Sequence, residues 1–281
     1  MDAKSEIQRL SVVSIGSTKT GKSTTLGHLR LQAGLYPENF FARIVNECTN
    51  EHYNKPEDKY AWITSTLRTE RELSNSIVSK AVQLSLPSAT QDGIAPGGRT
   101  LPNRLWVIDL PGASKYHKNL IRGLAEGDDA ALLFVAADRW EQDWARDDVG
   151  GTREMVLVLY AFGYRRVIVV VNKMDLVGYS QEKYESIVSA VRERINQTVD
   201  PGHIEISFVP VSGWEGENLI KPSGKMDWYQ GQPLFSHLSS LSPVKAIKNA
   251  PLRYLVTHSH RVRGIGTVTV GKVVSGEIKA G

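Results

Sequence analysis

The sequence predicts an α/β fold, in which helices cover both faces of a mostly parallel β-sheet, followed by a small all-β domain. Three observations support this prediction. Short apolar runs lack the polar alternation of a half-solvated sheet, which favours strands buried on both faces. Segments with apolar residues at helical spacing separate these runs. After about residue 243, β-branched residues alternate with glycines, as in small all-β domains. The predicted domains are residues 1–240 and 241–281.

The elements follow one another in a regular order. Leu10 to Gly16 is an apolar run that ends at a glycine, and a helical pattern follows from Lys22 to Gly34. The same order recurs in the segments RLWVIDLPG, DDAALLFVAAD, REMVLVLYAFG, RRVIVVVNKMD, SQEKYESIVSAVRERI and HIEISFVPVSG. Strands that alternate with helices in this way form parallel sheets.

The composition is that of an ordinary soluble protein, with 41% hydrophobic and 23% charged residues. No apolar run approaches the ~20 residues that a membrane helix needs, so no membrane partner is expected. The segment MDAKSEIQRL does not resemble a secretory signal, and the single cysteine, Cys48, fits a reducing compartment. The predicted location is the cytoplasm. A net charge of +4 permits an acidic partner such as RNA without requiring one.

Residues 85–104 interrupt this order with a stretch rich in Gly, Pro, Ser and Thr. The stretch has no hydrophobic period, which indicates a flexible connection between two strands. A passive insertion is the simplest interpretation, because surface loops tolerate insertions well.

The stretch GSTKTGKST carries the spacing G-x-x-x-x-G-K-S, with Gly16, Gly21, Lys22 and Ser23 at the defined positions. In a phosphate-binding loop of this type, glycines let the backbone N–H groups approach phosphate, lysine reaches the terminal phosphates, and the hydroxyl reaches Mg²⁺. A glycine-rich turn before a helix is the alternative. The predicted nucleotide contacts are Gly16, Ser17, Thr18, Lys19, Thr20, Gly21, Lys22, Ser23 and Thr24, and Lys22 is also a candidate catalytic residue.

The motif DLPG places Asp109 at the end of a predicted strand. There a carboxylate can hold Mg²⁺ through water, and the N–H of Gly112 can reach a γ-phosphate. An aspartate in this position is also a common turn or helix-cap residue, so this motif alone decides nothing.

The motif NKMD, residues 172–175, ends another apolar strand. A carboxylate at Asp175 can accept hydrogen bonds from N1–H and the exocyclic amine of guanine, whereas adenine lacks both donors. Lys173 can pack its stem over the base, and Asn172 can tie this loop to the phosphate loop. A surface turn is the alternative for each residue. Because the three motifs occur together in this order, the sequence predicts a guanine-nucleotide site.

With these motifs the sequence resembles the translational GTPases of the elongation factor 1-alpha group, which are related to elongation factor Tu. The resemblance is carried by GSTKTGKST, DKYAWITSTLRTERE, DLPG, GGTREMVLVLYAFG, VNKMD, VPVSGWEGENLIKPS and GIGTVTVGKVVSG. It implies a Ras-like G domain before a β-barrel, Mg²⁺-dependent hydrolysis of GTP to GDP, and delivery of aminoacyl-tRNA. It also implies that Ser212, Gly213 and Trp214 complete the guanine pocket, and that ribosome, tRNA and an exchange factor are partners.

Several positions depart from the family pattern. Ser17 and Lys19 replace a histidine and an aspartate of the phosphate loop. In the first switch, Ser76 stands where the family has a threonine that ligates Mg²⁺, while Ser74 and Val78 replace its glycine and aspartate. The resemblance therefore implies Ser23, Ser76 and Asp109 as the metal-site residues.

The position after DLPG is Ala113, where the family has a histidine that orients the attacking water. His117 lies four residues later and would share a helix face with Ala113 if the segment were helical from Gly112. His117 is thus a second catalytic candidate, although an ordinary surface histidine is the favoured interpretation. Residues 241–281 are too few to close the barrel, so this domain is expected to be incomplete.

Three functions remain open from the sequence. The first is a GTPase of the elongation factor type. The second is a GTP-binding module with impaired hydrolysis, which Ala113 favours. The third is a truncated copy without an independent role, which the incomplete barrel favours.

Overall fold

The computed structural model describes residues 9–84, 94–95, 99–100, 104–127, 129–146, 150–242 and 249–278. Its strands are β1 (Arg9–Ile15), β2 (Lys80–Leu84), β3 (Ile94–Ala95), β4 (Arg99–Thr100), β5 (Arg104–Asp109), β6 (Ala130–Ala136), β7 (Arg166–Asn172), β8 (Glu205–Pro210), β9 (Arg253–Val262) and β10 (Gly266–Ser275). Its helices are α1 (Lys22–Gln32), α2 (Glu38–Thr49), α3 (Ala61–Thr64), α4 (Arg68–Leu73), α5 (His117–Leu124), α6 (Trp140–Ala145), α7 (Thr152–Ala161), α8 (Gln181–Thr198) and α9 (Leu234–Ser240).

A six-stranded sheet in the order β2-β5-β1-β6-β7-β8 forms the centre of the fold. All neighbouring strands are parallel except β2, which pairs antiparallel with β5. Every residue of β6 is buried, as expected for a strand covered on both faces. The α/β fold that the sequence predicts is confirmed.

Apolar residues that alternate along the strands form one core on each face of the sheet. On one face, Val13 and Leu133 pack in a cluster with side chains of α5, α7 and α8. On the other face, Val12 and Leu132 pack in a cluster with side chains of α1 and α9. The helices therefore enclose the sheet from both sides, and the loops at its carboxyl edge are where a ligand site is expected in such a fold.

The segment between α1 and β2 contains three helices that the sequence did not predict. Ile44 and Cys48 of α2 pack on Trp62 of α3 in a small separate core. The carbonyl oxygen of Tyr60 lies against α1 at Gly27, where a Cβ atom would come within 1.9 Å of it. Gly27 thus permits this segment to lie close beside the phosphate-loop helix.

Two predictions fall partly outside the described residues. Of residues 85–104, the structure describes β3 and β4, which pair antiparallel, and the first residue of β5; the rest of the predicted flexible connection lies outside the described residues. The predicted domain boundary after residue 240 stays a prediction, because residues 243–248 are likewise outside them.

The strands β9 and β10 form an antiparallel hairpin that fits the start of a barrel domain. Apolar side chains of this hairpin, including Leu255, Val256 and Val270, are exposed. None of the helices in the described part of the chain is both long and apolar enough to cross a membrane.

Replacing Gly27 with alanine is expected to lower the free energy of unfolding by about 1–3 kcal/mol, because the added methyl group must displace the backbone at Tyr60. Denaturant unfolding followed by circular dichroism measures the change. Gly224→Ala is the matched control, since a Cβ atom there meets no atom within 4 Å. Equal stability of Gly27→Ala and the wild type would contradict the close packing of the two segments.

Candidate functional site

The loop after β1 wraps around the ammonium group of Lys22. Nζ of Lys22 donates hydrogen bonds to the carbonyl oxygens of Gly16, at 2.8 Å, and Ser17, at 3.0 Å. Burial lowers the pKa of Lys22 to about 8, against an ordinary value of 10.5, although Asp109 and Asp143 act in the opposite direction. The loop therefore holds a buried cation that a phosphate anion would stabilise.

Gly112 follows β5 and lies directly against this cation. A Cβ atom at Gly112 would lie 2.6 Å from Nζ of Lys22 and 2.7 Å from the carbonyl oxygen of Gly16. Only glycine permits such a close approach of the two loops. The structure thus brings Gly112 against the phosphate loop, and its contact with a γ-phosphate stays a prediction.

Three oxygen-bearing side chains meet at the start of α1. The hydroxyl of Ser23 donates to Oδ2 of Asp109 at 2.7 Å, and it lies 3.0 Å from the hydroxyl of Ser76. These residues come from three separate segments, and they are the three that the sequence assigned to a metal. Burial raises the pKa of Asp109, while the hydrogen bond from Ser23 opposes this effect.

The chemistry of these donors fits Mg²⁺, which prefers oxygen ligands. Oδ1 of Asp109 is buried and has no hydrogen-bond partner among the described residues, so it is available to a ligand or to a water held by one. Within the described ranges, no group of three or more His, Cys, Asp or Glu is arranged to hold a metal ion.

Asn172 connects the phosphate loop to the loops that follow β7 and β8. Its Nδ2 donates to the carbonyl oxygen of Thr20 at 2.7 Å, and its Oδ1 accepts from the N–H of Gly213 at 2.9 Å. The next residue, Lys173, adopts a left-handed backbone conformation and pairs with Asp138 at 3.3 Å. Asn172 thus connects the phosphate loop to the loop after β8.

Asp175 is half-buried at the other end of the site. Oδ1 of Asp175 accepts a hydrogen bond from the hydroxyl of Ser212 at 2.6 Å, and that hydroxyl accepts from the N–H of Glu215 at 3.1 Å. These bonds fix the carboxylate in one orientation. An oriented carboxylate of this kind can select a base that presents two adjacent donors.

An aromatic cluster supports the loop that contains Trp214. The ring of His28 stacks on Tyr60 at 3.9 Å, Tyr60 meets the edge of Trp214 at 5.5 Å, and the ammonium of Lys59 lies 4.6 Å from the centre of the Trp214 ring. His28 also contacts the carbonyl oxygen of Gly213 at 3.0 Å. Trp214 is therefore held by Lys59 and Tyr60, which lie in the segment between α1 and β2.

One cavity of about 510 Å³ joins the two halves of the site. The predicted nucleotide or metal residues that line it are Thr18, Lys19, Gly21, Lys22, Ser23, Thr24, Ser76, Gly112, Asn172, Lys173, Asp175 and Trp214. The other predicted residues stand outside this lining, and each is hydrogen-bonded to a residue within it; they are Gly16, Ser17, Thr20, Asp109, Ser212 and Gly213. A volume of this size accommodates a nucleotide-sized ligand.

His117 and Ala113 do not line this cavity. The segment is not helical from Gly112, because Ala113 has an extended backbone, Ser114–Tyr116 form a 3₁₀ turn, and α5 begins only at His117. Nδ1 of His117 lies 3.7 Å from the carboxylate of Glu154. The helical spacing that would place His117 near Ala113 is therefore absent.

Some contacts and side chains that shape the site were not predicted from the sequence. The hydroxyl of Ser17 donates to the carbonyl oxygen of Gly150 at 2.9 Å, and Arg139 donates to the carbonyl oxygen of Thr18. Glu57 and Asp58 line the cavity, as does Glu70. Asp58 and Glu70 lie in DKYAWITSTLRTERE, a stretch that carries the family resemblance, whereas Glu57 lies just before it.

The sequence profile of the elongation factor Tu GTP binding domain matches residues 8–244. The chain belongs to this family. Elongation factor 1-alpha of Entamoeba histolytica is 35% identical over 277 residues, which cover 98% of this chain and 58% of that protein. Elongation factor 1-alpha of Plasmodium falciparum is 34% identical over 276 residues, with the same coverage of both chains. The resemblance stated from the motifs is confirmed, and the chain spans just over half the length of these relatives.

Solved structures share the fold. The GTPase-like domain of Ski7 from S. cerevisiae, bound to GTP, has a TM-score of 0.75 at 23% identity and is matched over 98% of this chain and 60% of that one. Sup35 in complex with GDP has a TM-score of 0.56 at 20% identity, over 99% of this chain and 56% of that one. The similarity to these two proteins concerns the fold alone.

The depressed pKa of Lys22 makes a prediction about pH. Between about pH 8 and pH 10.5, Lys22 is protonated in the unfolded chain and has lost its proton in the nucleotide-free folded chain. Because the unfolded chain binds the extra proton, the contribution of Lys22 to the free energy of unfolding rises with pH across this range. Relative to Lys22→Met, the wild-type free energy of unfolding is expected to rise by up to about 3 kcal/mol across this range. Urea unfolding at several pH values measures it, and parallel pH profiles of the two proteins would contradict the buried-cation geometry.

Proposed function

We propose that residues 1–240 bind GTP and GDP together with Mg²⁺ and hydrolyse GTP slowly. The observation that carries this proposal is the single cavity that joins the Lys22–Ser23 end to the Asp175–Trp214 end. Taken alone, the residues at the Lys22–Ser23 end could be explained by a glycine-rich turn. The residues at the Asp175–Trp214 end, taken alone, could be explained by a surface turn. A cavity that presents both sets matches a nucleotide with its phosphates at one end and its base at the other.

At the phosphate end, Lys22 would exchange its bonds to loop carbonyl oxygens for bonds to the β- and γ-phosphates. Its low pKa supports this role, because an anion would restore the charge that burial disfavours. The N–H of Gly112 would point at the γ-phosphate, and Lys19 would add a second positive charge at the rim of the cavity.

At the metal, Ser23 and Ser76 would act as hydroxyl ligands and Asp109 would hold a coordinated water. The bound Mg²⁺ neutralises charge on the β- and γ-phosphate oxygens. Ser23 is positioned for this role by the hydrogen bond that it donates to Asp109, which turns its hydrogen toward the carboxylate and leaves the lone pairs of the hydroxyl oxygen available to a metal ion.

At the base end, Asp175 would accept hydrogen bonds from N1–H and the exocyclic amine of guanine. Ser212 holds one carboxylate oxygen of Asp175, and Asn172 holds Gly213 beside the same pocket. Lys173 and Trp214 line the cavity there and would pack on the base.

The hydrolysis step is slow in this proposal because Ala113 offers no polar group to orient water. His117 is not a substitute in this proposal, since its ring lies near Glu154 and the helical spacing that would bring it beside Ala113 is absent. A GTP-binding module with no hydrolysis is the second candidate, and the same alanine favours it. A single-turnover assay with γ-labelled GTP, with and without ribosomes, distinguishes the two.

In the cell we expect a cytoplasmic role in translation, as in the elongation factors of the family. The proposed partners are the ribosome, tRNA and a nucleotide exchange factor. Residues 241–281 would contribute the first part of a β-barrel, and aminoacyl-tRNA delivery would depend on surfaces beyond the ones described in this chain.

Replacing Asp175 with asparagine is expected to shift the base preference from guanine to xanthine. The asparagine amide group offers a donor, which suits the carbonyl oxygen that xanthine has in place of the guanine amine. The affinities for GTP and XTP are measured by fluorescence competition, and GTP affinity should fall at least tenfold. Asp227→Asn, at an exposed residue outside the cavity, is the matched control. Unchanged selectivity in Asp175→Asn would remove Asp175 from the base site.

Replacing Ala113 with histidine is expected to raise the single-turnover rate of GTP cleavage by about 10²-fold or more, because it returns a group that can orient water. GTP affinity should stay within about twofold. Lys115→His places the same ring two residues away and should leave the rate unchanged. If Ala113→His has no effect while His117→Ala lowers the rate, the water-orienting role belongs to His117 and this account of hydrolysis is wrong.

A further inference from the structure

One buried carboxylate fixes the segment that carries Ser76. Glu70 lies in α4 and is only 1% exposed. Its Oε1 accepts hydrogen bonds from the N–H of Ile77, at 2.9 Å, and from the N–H of Val78, at 3.3 Å. Because a buried carboxylate needs such donors, these bonds hold the two residues that directly follow Ser76.

The other carboxylate oxygen ties this arrangement to the sheet. Oε2 of Glu70 forms an ion pair with Lys80, the first residue of β2. Lys80 also donates to the carbonyl oxygen of Thr64 at 3.2 Å, and it is the cross-strand partner of Asp109. Glu70 therefore links the Ser76 segment to the strand pair that carries Asp109.

A second side chain, from the separate helix α5, holds the same segment. Nδ2 of Asn119, in α5, donates to the carbonyl oxygen of Ile77 at 2.7 Å. With Ile77 held through both its N–H and its carbonyl oxygen, the backbone next to Ser76 has a defined position. The Ser76 hydroxyl consequently lies 3.0 Å from the hydroxyl of Ser23.

We propose that Glu70 is the positioning residue of the metal site. It holds the Ser76 hydroxyl beside Ser23, and the Mg²⁺ requirement for GTP binding depends on it. This inference rests on the proposed function and deepens it. Glu70 would not contact the metal ion itself; with its partner Lys80 it would orient the ligand Ser76, as residues that contact the ligands of a metal site do.

The test measures how tightly the chain binds a fluorescent GTP at a series of free Mg²⁺ concentrations. Glu70→Gln is expected to raise the Mg²⁺ concentration for half-maximal GTP affinity about tenfold, because an amide has one acceptor oxygen for three donors and carries no charge for Lys80. Ser76→Ala should raise it by a similar factor. The double variant should be no worse than the more affected single variant, since both changes remove the same ligand.

Glu72→Gln is the matched control. Glu72 lies in the same helix and makes an exposed ion pair with Arg68, so its substitution should leave the Mg²⁺ midpoint unchanged. Asn119→Ala is a second route to the same effect, and it leaves the Glu70–Lys80 ion pair intact. It should raise the midpoint and should also be non-additive with Ser76→Ala, even if Glu70→Gln does not fold.

A general structural role for Glu70 would lower the melting temperature without moving the Mg²⁺ midpoint. An unchanged midpoint in folded Glu70→Gln and in Asn119→Ala, or effects that add to that of Ser76→Ala, would overturn the inference while GTP binding by the wild type persists. A wild-type chain that binds no GTP at any Mg²⁺ concentration would instead overturn the proposed function, and this inference with it.

Discussion

The whole site depends on the side chain of Asn172, which is 2% exposed and bonds to two loops at once. Its amide nitrogen holds the carbonyl oxygen of Thr20, and its amide oxygen holds the N–H of Gly213. Thr20 belongs to the loop after β1, and Gly213 to the loop after β8. Since parallel strands bring these loops to one edge of the sheet, a single amide sets the distance between the phosphate end and the base end of the cavity.

Buried charge gives this cavity its chemical character. Lys22 and Asp109 are both buried, and burial disfavours the charged form of each. A ligand that combines an anion with a divalent cation would stabilise both. Glu70 and Lys80 form a second pair of opposite charges, an ion pair next to the segment that carries Ser76. The magnesium nucleotide that we propose as the ligand would match this set of charges, whereas Ala113 has no polar side chain for the cleavage step.

The fold and most of the site could be predicted from the sequence because each part depends on local pattern. Strands such as β6 and β7 are continuous apolar runs. Lys22 and Asp175 follow apolar strands at motif spacing, and Asp109 ends one. The helices α2–α4 were missed because they are held by Ile44, Cys48 and Trp62, a cluster that only tertiary packing assembles. Glu70, Arg139 and the Ser17–Gly150 contact were missed for the same reason, and the 3₁₀ turn after Ala113 has no periodic signature.

The most direct test of the central claim is equilibrium binding of GTP, GDP and ATP to the purified chain, with Mg²⁺ and with EDTA. The account predicts micromolar or tighter binding of GTP and GDP, at least 10²-fold weaker binding of ATP because adenine cannot pair with Asp175, and loss of GTP affinity in EDTA. Equal affinity for ATP and GTP, or GTP affinity that EDTA leaves unchanged, would contradict the account.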